Sequence, residues 1–172
     1  PPVLPGRGPH GGIHRNADPY YTFGSRRVVK HLAAPRVRTS STRGLGAYAN
    51  VFAIESFLDE LAVAMGTNPV ALRLNHLDDP RARAVIQRAG QVVAEWRAEP
   101  RPNTGSGMAF ARYKNVQTYC AVAVQLEVDP DTALVRLCRA EIVADSGRVV
   151  DPDGLAHQLE GAFVQSASWT LK

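Results

Sequence analysis

The chain has 172 residues, 45% of them hydrophobic and 21% charged, with a formal net charge of +4. Those proportions suit a packed globular protein and exclude wholesale disorder, and the length allows one domain or two small ones. The mild charge falls short of the concentrated basic surface of a duplex binder, no apolar run approaches the roughly 20 residues of a membrane-spanning helix, and two cysteines are too few for a disulfide scaffold.

Residues 1–46 are rich in Gly, Pro and Arg and lack helical periodicity. The opening Pro1-Pro2-Val3-Leu4-Pro5-Gly6 has neither an initiator Met nor a signal sequence and reads as a cut made inside a longer protein. Within this arm, Tyr20-Tyr21-Thr22-Phe23 through Val28-Val29 has the composition of a strand. The rest reads as an extended loop that needs another surface to lie on.

From Ala47 the pattern changes. Val51, Ile54, Leu58, Leu61 and Met65 recur at spacings of three and four, which predicts a helix over 47–66 with that face buried. Gly66 supplies a C-terminal stop. Asn68-Pro69 supplies an N-cap and a first-turn proline for a second helix over 69–77. Asp79-Pro80 repeats the signal for a third over 80–97, with Val85, Ala89, Val92 and Trp96 inward. Pro100, Pro102 and Gly105 end it.

Strand character follows. Cys120, Val122, Val124, Leu126 and Val128 alternate with smaller or more polar residues, and Leu134–Ala144 pairs with that run in a β-hairpin over 118–144. The turn is expected at Asp129-Pro130-Asp131-Thr132. A hairpin centred near Asp131 pairs Cys138 with Val124 and leaves Cys120 out of disulfide reach, so both cysteines read as small core residues. Gly105–Tyr113 has the look of a further strand, and 154–171 reads as a closing helix. The fold class is therefore α/β, mixed α+β in detail. An irregular arm spans 1–46, a helical region 47–100 and a strand-rich region 101–172.

The common catalytic signatures are missing. There is no CxxC, HExxH, Walker loop or GxSxG, and no metal ligand set is assigned. His10 and His14 are four apart, but in a Gly/Pro-rich loop that spacing fixes no geometry. Glu55 and Asp59 share a helix face at i, i+4, which marks a solvated or salt-bridged face more often than an acid/base pair. The arm carries Arg7, Arg15, Arg26, Arg27, Lys30, Arg36, Arg38 and Arg43 against Asp18 alone. With Tyr20, Tyr21 and Phe23 nearby, a nucleic-acid surface competes with an arm docked on an acidic protein surface.

Two stretches have ligand-site chemistry. In Thr42-Arg43-Gly44-Leu45-Gly46, glycines flank a charged residue just before a helix start, which lets backbone approach a ligand and aims N–H groups at anions. Asp145-Ser146-Gly147, Asp151-Pro152-Asp153-Gly154 and Gln158-Leu159-Glu160-Gly161 run from a strand end through a turn into a helix, a usual ligand position in α/β sheets.

Taken in order, Arg43-Gly44-Leu45-Gly46, Asn50-Val51-Phe52-Ala53-Ile54-Glu55-Ser56, Asp59-Glu60-Leu61-Ala62, Asn68-Pro69 and Arg73-Leu74 resemble a run in the large subunit of molybdenum hydroxylases. This is the xanthine dehydrogenase/aldehyde oxidase family. Asp145-x-Gly147, Pro152 and Gln158-Leu159-Glu160-Gly161 resemble its D-x-G…N-P…G-Q-x-E-G segment. The likeness covers about residues 10–172, and the isoquinoline- or nicotinate-oxidising type is nearest.

The resemblance implies that the chain is a fragment or split subunit with parts of two molybdopterin-binding domains, 47–100 closing the first and 101–172 belonging to the second. Complete enzymes of the family hydroxylate aldehydes or N-heteroaromatic carbons with water-derived oxygen and pass electrons to [2Fe–2S] clusters. Arg43 and Gly44 are then expected at the substrate pocket and Gln158 and Gly161 at the molybdopterin. The implied partners are the remainder of the large subunit and a [2Fe–2S] subunit, with self-association of an isolated piece, in a cytoplasmic or periplasmic setting. Asp151 and His157 depart from the usual Asn and Gly or Asn. The family's general-base Glu falls beyond the fourteen residues after Gln158, so no catalytic residue is assigned, and the chain alone is expected to hold no cofactor tightly. A non-catalytic interaction module that kept the fold is the alternative.

Overall fold

A computed structural model describes residues 12–31, 33, 36–38 and 40–171. After a short 3-10 turn at Gly12–His14 come α1 (Gly46–Ala64), α2 (Pro69–Asn75), α3 (Pro80–Ala98), β1 (Thr104–Tyr113), β2 (Gln117–Val128), β3 (Val135–Asp145) and α4 (Pro152–Leu171). The fold is mixed α/β, with the strands forming one antiparallel sheet in the order β1-β2-β3.

The helix ends follow the capping chemistry. The Asn68 side chain accepts from the Val70 and Ala71 amides at 2.8 and 3.2 Å, and Asp79 accepts from those of Arg81 and Ala82 at 2.9 and 3.4 Å. Each side-chain oxygen satisfies donors that the first helical turn leaves without partners. At the end of α1, Thr67 N–H reaches the Ala62 carbonyl and Gly66 N–H the Val63 carbonyl, at 2.9 and 3.1 Å. This double bond pattern is the one a glycine stop makes.

The core combines helices and sheet. Leu58 and Ala62 of α1, Leu72 of α2, Ala82, Val85, Ile86, Ala89, Val92 and Val93 of α3, and Met108, Phe110, Tyr119, Ala121 and Ala123 of the sheet form one buried cluster. α3 runs against all three strands. The arm joins this cluster through Tyr21, which is 2% exposed.

Tyr20–Val29 is not a strand but an irregular segment, in which Tyr21 is buried against Glu55 of α1 and Phe110 of β1 rather than paired in a sheet. On the face predicted for α1, Leu58 is buried and Ile54 and Leu61 pack against the core, but Met65, at the C-cap, is 61% exposed, and Ala47, Glu55 and Ala62 are buried as well.

The buried face of β2 is the opposite of the expected one. Tyr119, Ala121, Ala123 and Gln125 lie against α3, whereas Cys120, Val122, Val124 and Leu126 face outward and are half-buried. Alanines let a helix approach a sheet closely, and that close packing outranks the larger side chains on the other face.

The hairpin register differs as well. Gln125 pairs with Arg139 and Leu126 with Leu137, so Cys138 is an extra residue in a bulge, and Val124 faces Ala140. Each one-residue slip reverses which side chains face the core. Both cysteines are free thiols at half-buried positions rather than core residues. Burial raises the Cys120 thiol to about 11.

α4 has no buried residue. It lies over the outer face of the sheet beside a cleft of about 290 Å³ lined by Cys120, Val122, Ile142, Leu159 and Phe163. Its far end meets α1, where the Trp169 and Tyr48 rings stand edge to face at 5.2 Å. None of the described helices is long and apolar enough to cross a membrane.

Candidate functional site

The turn before α1 is built tightly. Gly44 has φ +82° and Leu45 has φ 53° with ψ −136°. A branched residue there costs on the order of 1–3 kcal/mol and persists only where its surroundings hold it. A Cβ on Gly46 would come within 2.6 Å of the Ile13 carbonyl carbon, so glycine is required for the arm to cross here. Asn50, one turn into α1, completes the crossing by donating to the Ile13 and Arg15 carbonyls at 2.8 and 3.0 Å. Among the described residues, no side chain caps the start of α1. Beside the turn, a cleft of about 580 Å³ is lined by Gly12, Ile13, Leu45 and the hydroxyl-bearing Ser40, Ser41 and Thr42.

α4 begins differently. Asp151 accepts from the Gly154 amide at 2.9 Å and so caps its own helix. Aspartate and asparagine cap equally well, which accounts locally for Asp151 where the resembling segment has Asn. Its carboxylate occupies the place an anionic ligand would take at that helix start. Asp145 is also engaged. Arg81 grips it with Nε at 2.7 Å and a terminal nitrogen at 2.5 Å, and the Gly147 amide donates to it at 2.9 Å. Arg81 and that amide hold the Asp145 carboxyl at about 2.

The structure brings Arg43 and Gln158 together. A terminal nitrogen of Arg43 donates to the Gln158 side-chain oxygen at 2.7 Å and to its main-chain carbonyl at 3.2 Å. Gly161 borders the pair, since a Cβ there would meet only the other terminal nitrogen of Arg43, at 3.9 Å. Gly44 follows in the turn. Arg43 does not pair with Glu55 or Asp59, the alternative for a helix-start arginine, because both of those carboxylates bind Arg73.

That second network has no sign of burial in the sequence. Glu55 accepts from Tyr21 Oη at 2.7 Å, Arg73 Nε at 3.0 Å and the Phe110 amide at 2.8 Å. Arg73 also bonds Asp59 at 2.6 Å and the Glu55 main-chain carbonyl at 3.0 Å. Burial pushes the Glu55 carboxyl up, against Arg73 and the Phe110 amide, and pushes the Tyr21 hydroxyl up as well. The i, i+4 pair of Glu55 and Asp59 is thus salt-bridged and structural.

A third cluster has no sequence signal beyond the Asp79 cap. Asp79 Oδ2 accepts from Tyr20 Oη at 2.5 Å and Tyr119 Oη at 2.8 Å, with Arg112 at 3.7 Å. Burial works to raise the Asp79 carboxyl, but the two hydroxyls and the cap amides outweigh it and hold it at about 2. Burial and the bond to Asp79 push the Tyr20 hydroxyl up to about 12.

Among the described residues, no group of His, Cys, Asp and Glu has the arrangement to hold a metal ion. His10 lies outside the described residues.

Known proteins add the family. A molybdopterin cofactor-binding domain model matches residues 36–172. The chain is 36% identical over 173 residues to a nicotinate dehydrogenase subunit of Pseudomonas putida, covering 92% of this chain and 14% of that protein. It is 29% identical over 133 residues to the isoquinoline 1-oxidoreductase beta subunit of Brevundimonas diminuta, covering 75% of this chain and 17% of that protein. It is also 28% identical over 174 residues to a membrane-bound aldehyde dehydrogenase of Gluconacetobacter polyoxogenes, covering 90% of this chain and 22% of that protein.

This chain belongs to the molybdopterin cofactor-binding domain family and corresponds to part of the molybdopterin-binding region of a molybdenum hydroxylase. It spans between 14% and 22% of the length of these relatives. Their names are those of oxidoreductases, which gives no support to the interaction-module and nucleic-acid readings.

Proposed function

We propose that this chain forms one wall of the molybdopterin and substrate site in a hydroxylase that oxidises an N-heteroaromatic compound or an aldehyde with water-derived oxygen. In this reading Arg43 and Gly44 lie at the substrate lip and Gln158 and Gly161 face the cofactor. The observation that carries it is the contact between Arg43 and Gln158. Two motif residues 115 positions apart share a hydrogen bond of 2.7 Å, with Gly161 beside them.

The residues suit a polar, oxygen-rich group. A side-chain amide and a guanidinium are strong hydrogen-bonding groups. The uncapped start of α1 opens on a hydroxyl-lined cleft, which favours an anion more than the start of α4, where Asp151 already sits. When bound, the molybdenum cofactor supplies the redox chemistry. The chain's own part is to bind and orient it, with Arg43 placed to hold a polar or anionic substrate group.

The helical region 47–100 and the strand region 101–172 then contribute to adjoining molybdopterin-binding domains. The remaining partners in this reading are the rest of the large subunit and a [2Fe–2S] subunit, in the cytoplasm or the periplasm, and the chain on its own retains no cofactor.

The test is the complete enzyme carrying this segment, assayed for molybdenum and for oxidation of nicotinate, isoquinoline and a simple aldehyde in ¹⁸O-labelled water. Stoichiometric molybdenum, with label in one product class, is the expected result. An Arg43→Ala variant should lose turnover with its thermal stability kept. A molybdenum-free complex, or Arg43→Ala turnover equal to the parent, would overturn the reading.

A further inference from the structure

We propose that Arg43 is a positioning residue for Gln158: it fixes the side-chain amide so that the NH₂ end, not the carbonyl end, meets the bound cofactor. This rests on the reading that Gln158 faces the cofactor, but its own ground is geometric. A guanidinium offers donors and no acceptor. The Arg43 nitrogen is 2.7 Å from the Gln158 side-chain oxygen. The opposite amide flip would set N–H against N–H, so only the carbonyl end can face Arg43.

The same Arg43 nitrogen also holds the Gln158 main-chain carbonyl at 3.2 Å, which ties the guanidinium to the backbone of α4 as well as to the amide. Among the described residues, nothing accepts from the Gln158 NH₂ group, and the side chain is exposed. Among the described residues, a Cβ on Gly161 would meet Arg43 alone, at an ordinary contact distance of 3.9 Å.

The polarity defines the ligand atom. An amide held this way offers donors to an acceptor oxygen, whether carbonyl, oxo or phosphate, and repels a ring N–H. Because Arg43 and Gly44 are adjacent in one turn, the geometry also links the substrate lip to the cofactor face.

Molybdenum retention by the complete enzyme on repeated gel filtration separates the possibilities. Gln158→Glu keeps an oxygen toward Arg43 but removes the outward donor. Arg43→Ala keeps the amide but frees it to flip. Both should lose molybdenum about tenfold faster than the parent, the scale found when a group orienting a ligand is removed. The Arg43→Ala/Gln158→Ala double variant should lose it no faster than Gln158→Ala alone, and Arg43→Lys, which keeps a donor, should stay near the parent.

If Gln158→Ala sheds molybdenum but Arg43→Ala does not, the positioning role is wrong and the cofactor reading stands. If Gln158→Glu retains molybdenum while Gln158→Ala sheds it, the donor polarity is wrong. Unchanged retention in Gln158→Ala overturns the cofactor reading and this inference with it. Should Arg43→Ala fail to fold, Arg43→Met, which keeps an apolar stem but no donor, replaces it with the same expected loss.

Discussion

Arg73 donates from Nε to Glu55 at 3.0 Å with the Arg73 side chain 0% and the Glu55 side chain 5% exposed, an ion pair sealed between α1 and α2. Through Tyr21 and the Phe110 amide the same carboxylate reaches the arm and β1. One acidic side chain therefore links four segments of the fold.

Removing Arg73 should leave Glu55 buried without its counter-charge. Arg73→Met is expected to cost about 3–5 kcal/mol, as breaking a buried pair from one side does. The midpoint of urea unfolding measures it. A loss below about 1 kcal/mol, the scale of an exposed pair, would show that the network does not hold the helices together.

Asp79 predicts acid sensitivity. Its carboxyl is lowered from 3.8 to about 2 in the folded chain. A lowered folded value means the stabilisation is fully present above the unfolded value and is lost as pH falls through the folded one. Stability should therefore drop between about pH 4 and pH 2. Asp79→Asn keeps the helix cap but removes the charge, so its stability should vary less with pH in that window. Parallel pH profiles for the two proteins would refute this.

Gly46 should tolerate no side chain. A Cβ there meets the Ile13 carbonyl, which is backbone and cannot rotate away. Gly46→Ala should cost about 1–3 kcal/mol, as overpacking does. It should also loosen the crossing at Ile13–Arg15 and speed tryptic cleavage at Arg26 and Arg27. An unchanged digestion rate would mean that the arm is held elsewhere.

α1 is apolar on both sides. Phe52, Phe57 and Val63 are 68%, 61% and 78% exposed on the face away from the core. A helix apolar all round belongs in an interior, and the relatives are far longer than this chain. The isolated chain should bind an apolar dye and self-associate as concentration rises, and Phe52→Glu with Val63→Glu should suppress both. A monodisperse monomer that ignores the dye would count against an unfilled face.

Much of the architecture was legible in local chemistry. Asn68, Asp79 and Gly66 announce helix ends because a side-chain oxygen or a glycine is what an unsatisfied helix terminus needs, and that requirement is met within a few residues. The order of the Arg43 and Gln158 motifs likewise carried the family without any coordinates.

Tertiary structure decided what depends on partners distant in the chain. The inward face of β2 is Ala121 and Ala123 rather than Val122 and Val124, because the approach of α3 selects small residues and alternation alone does not say which face a helix will cover. The bulge at Cys138 shifts the strand register with no local signature. Glu55 has the pattern of an ordinary exposed carboxylate until Arg73, 18 positions away, and the Phe110 amide, 55 away, close around it. Arg43 and Gln158 are separated by 115 residues. Their meeting depends on how α4 is held against α1 and the outer face of the sheet, and no helical or strand period encodes that placement.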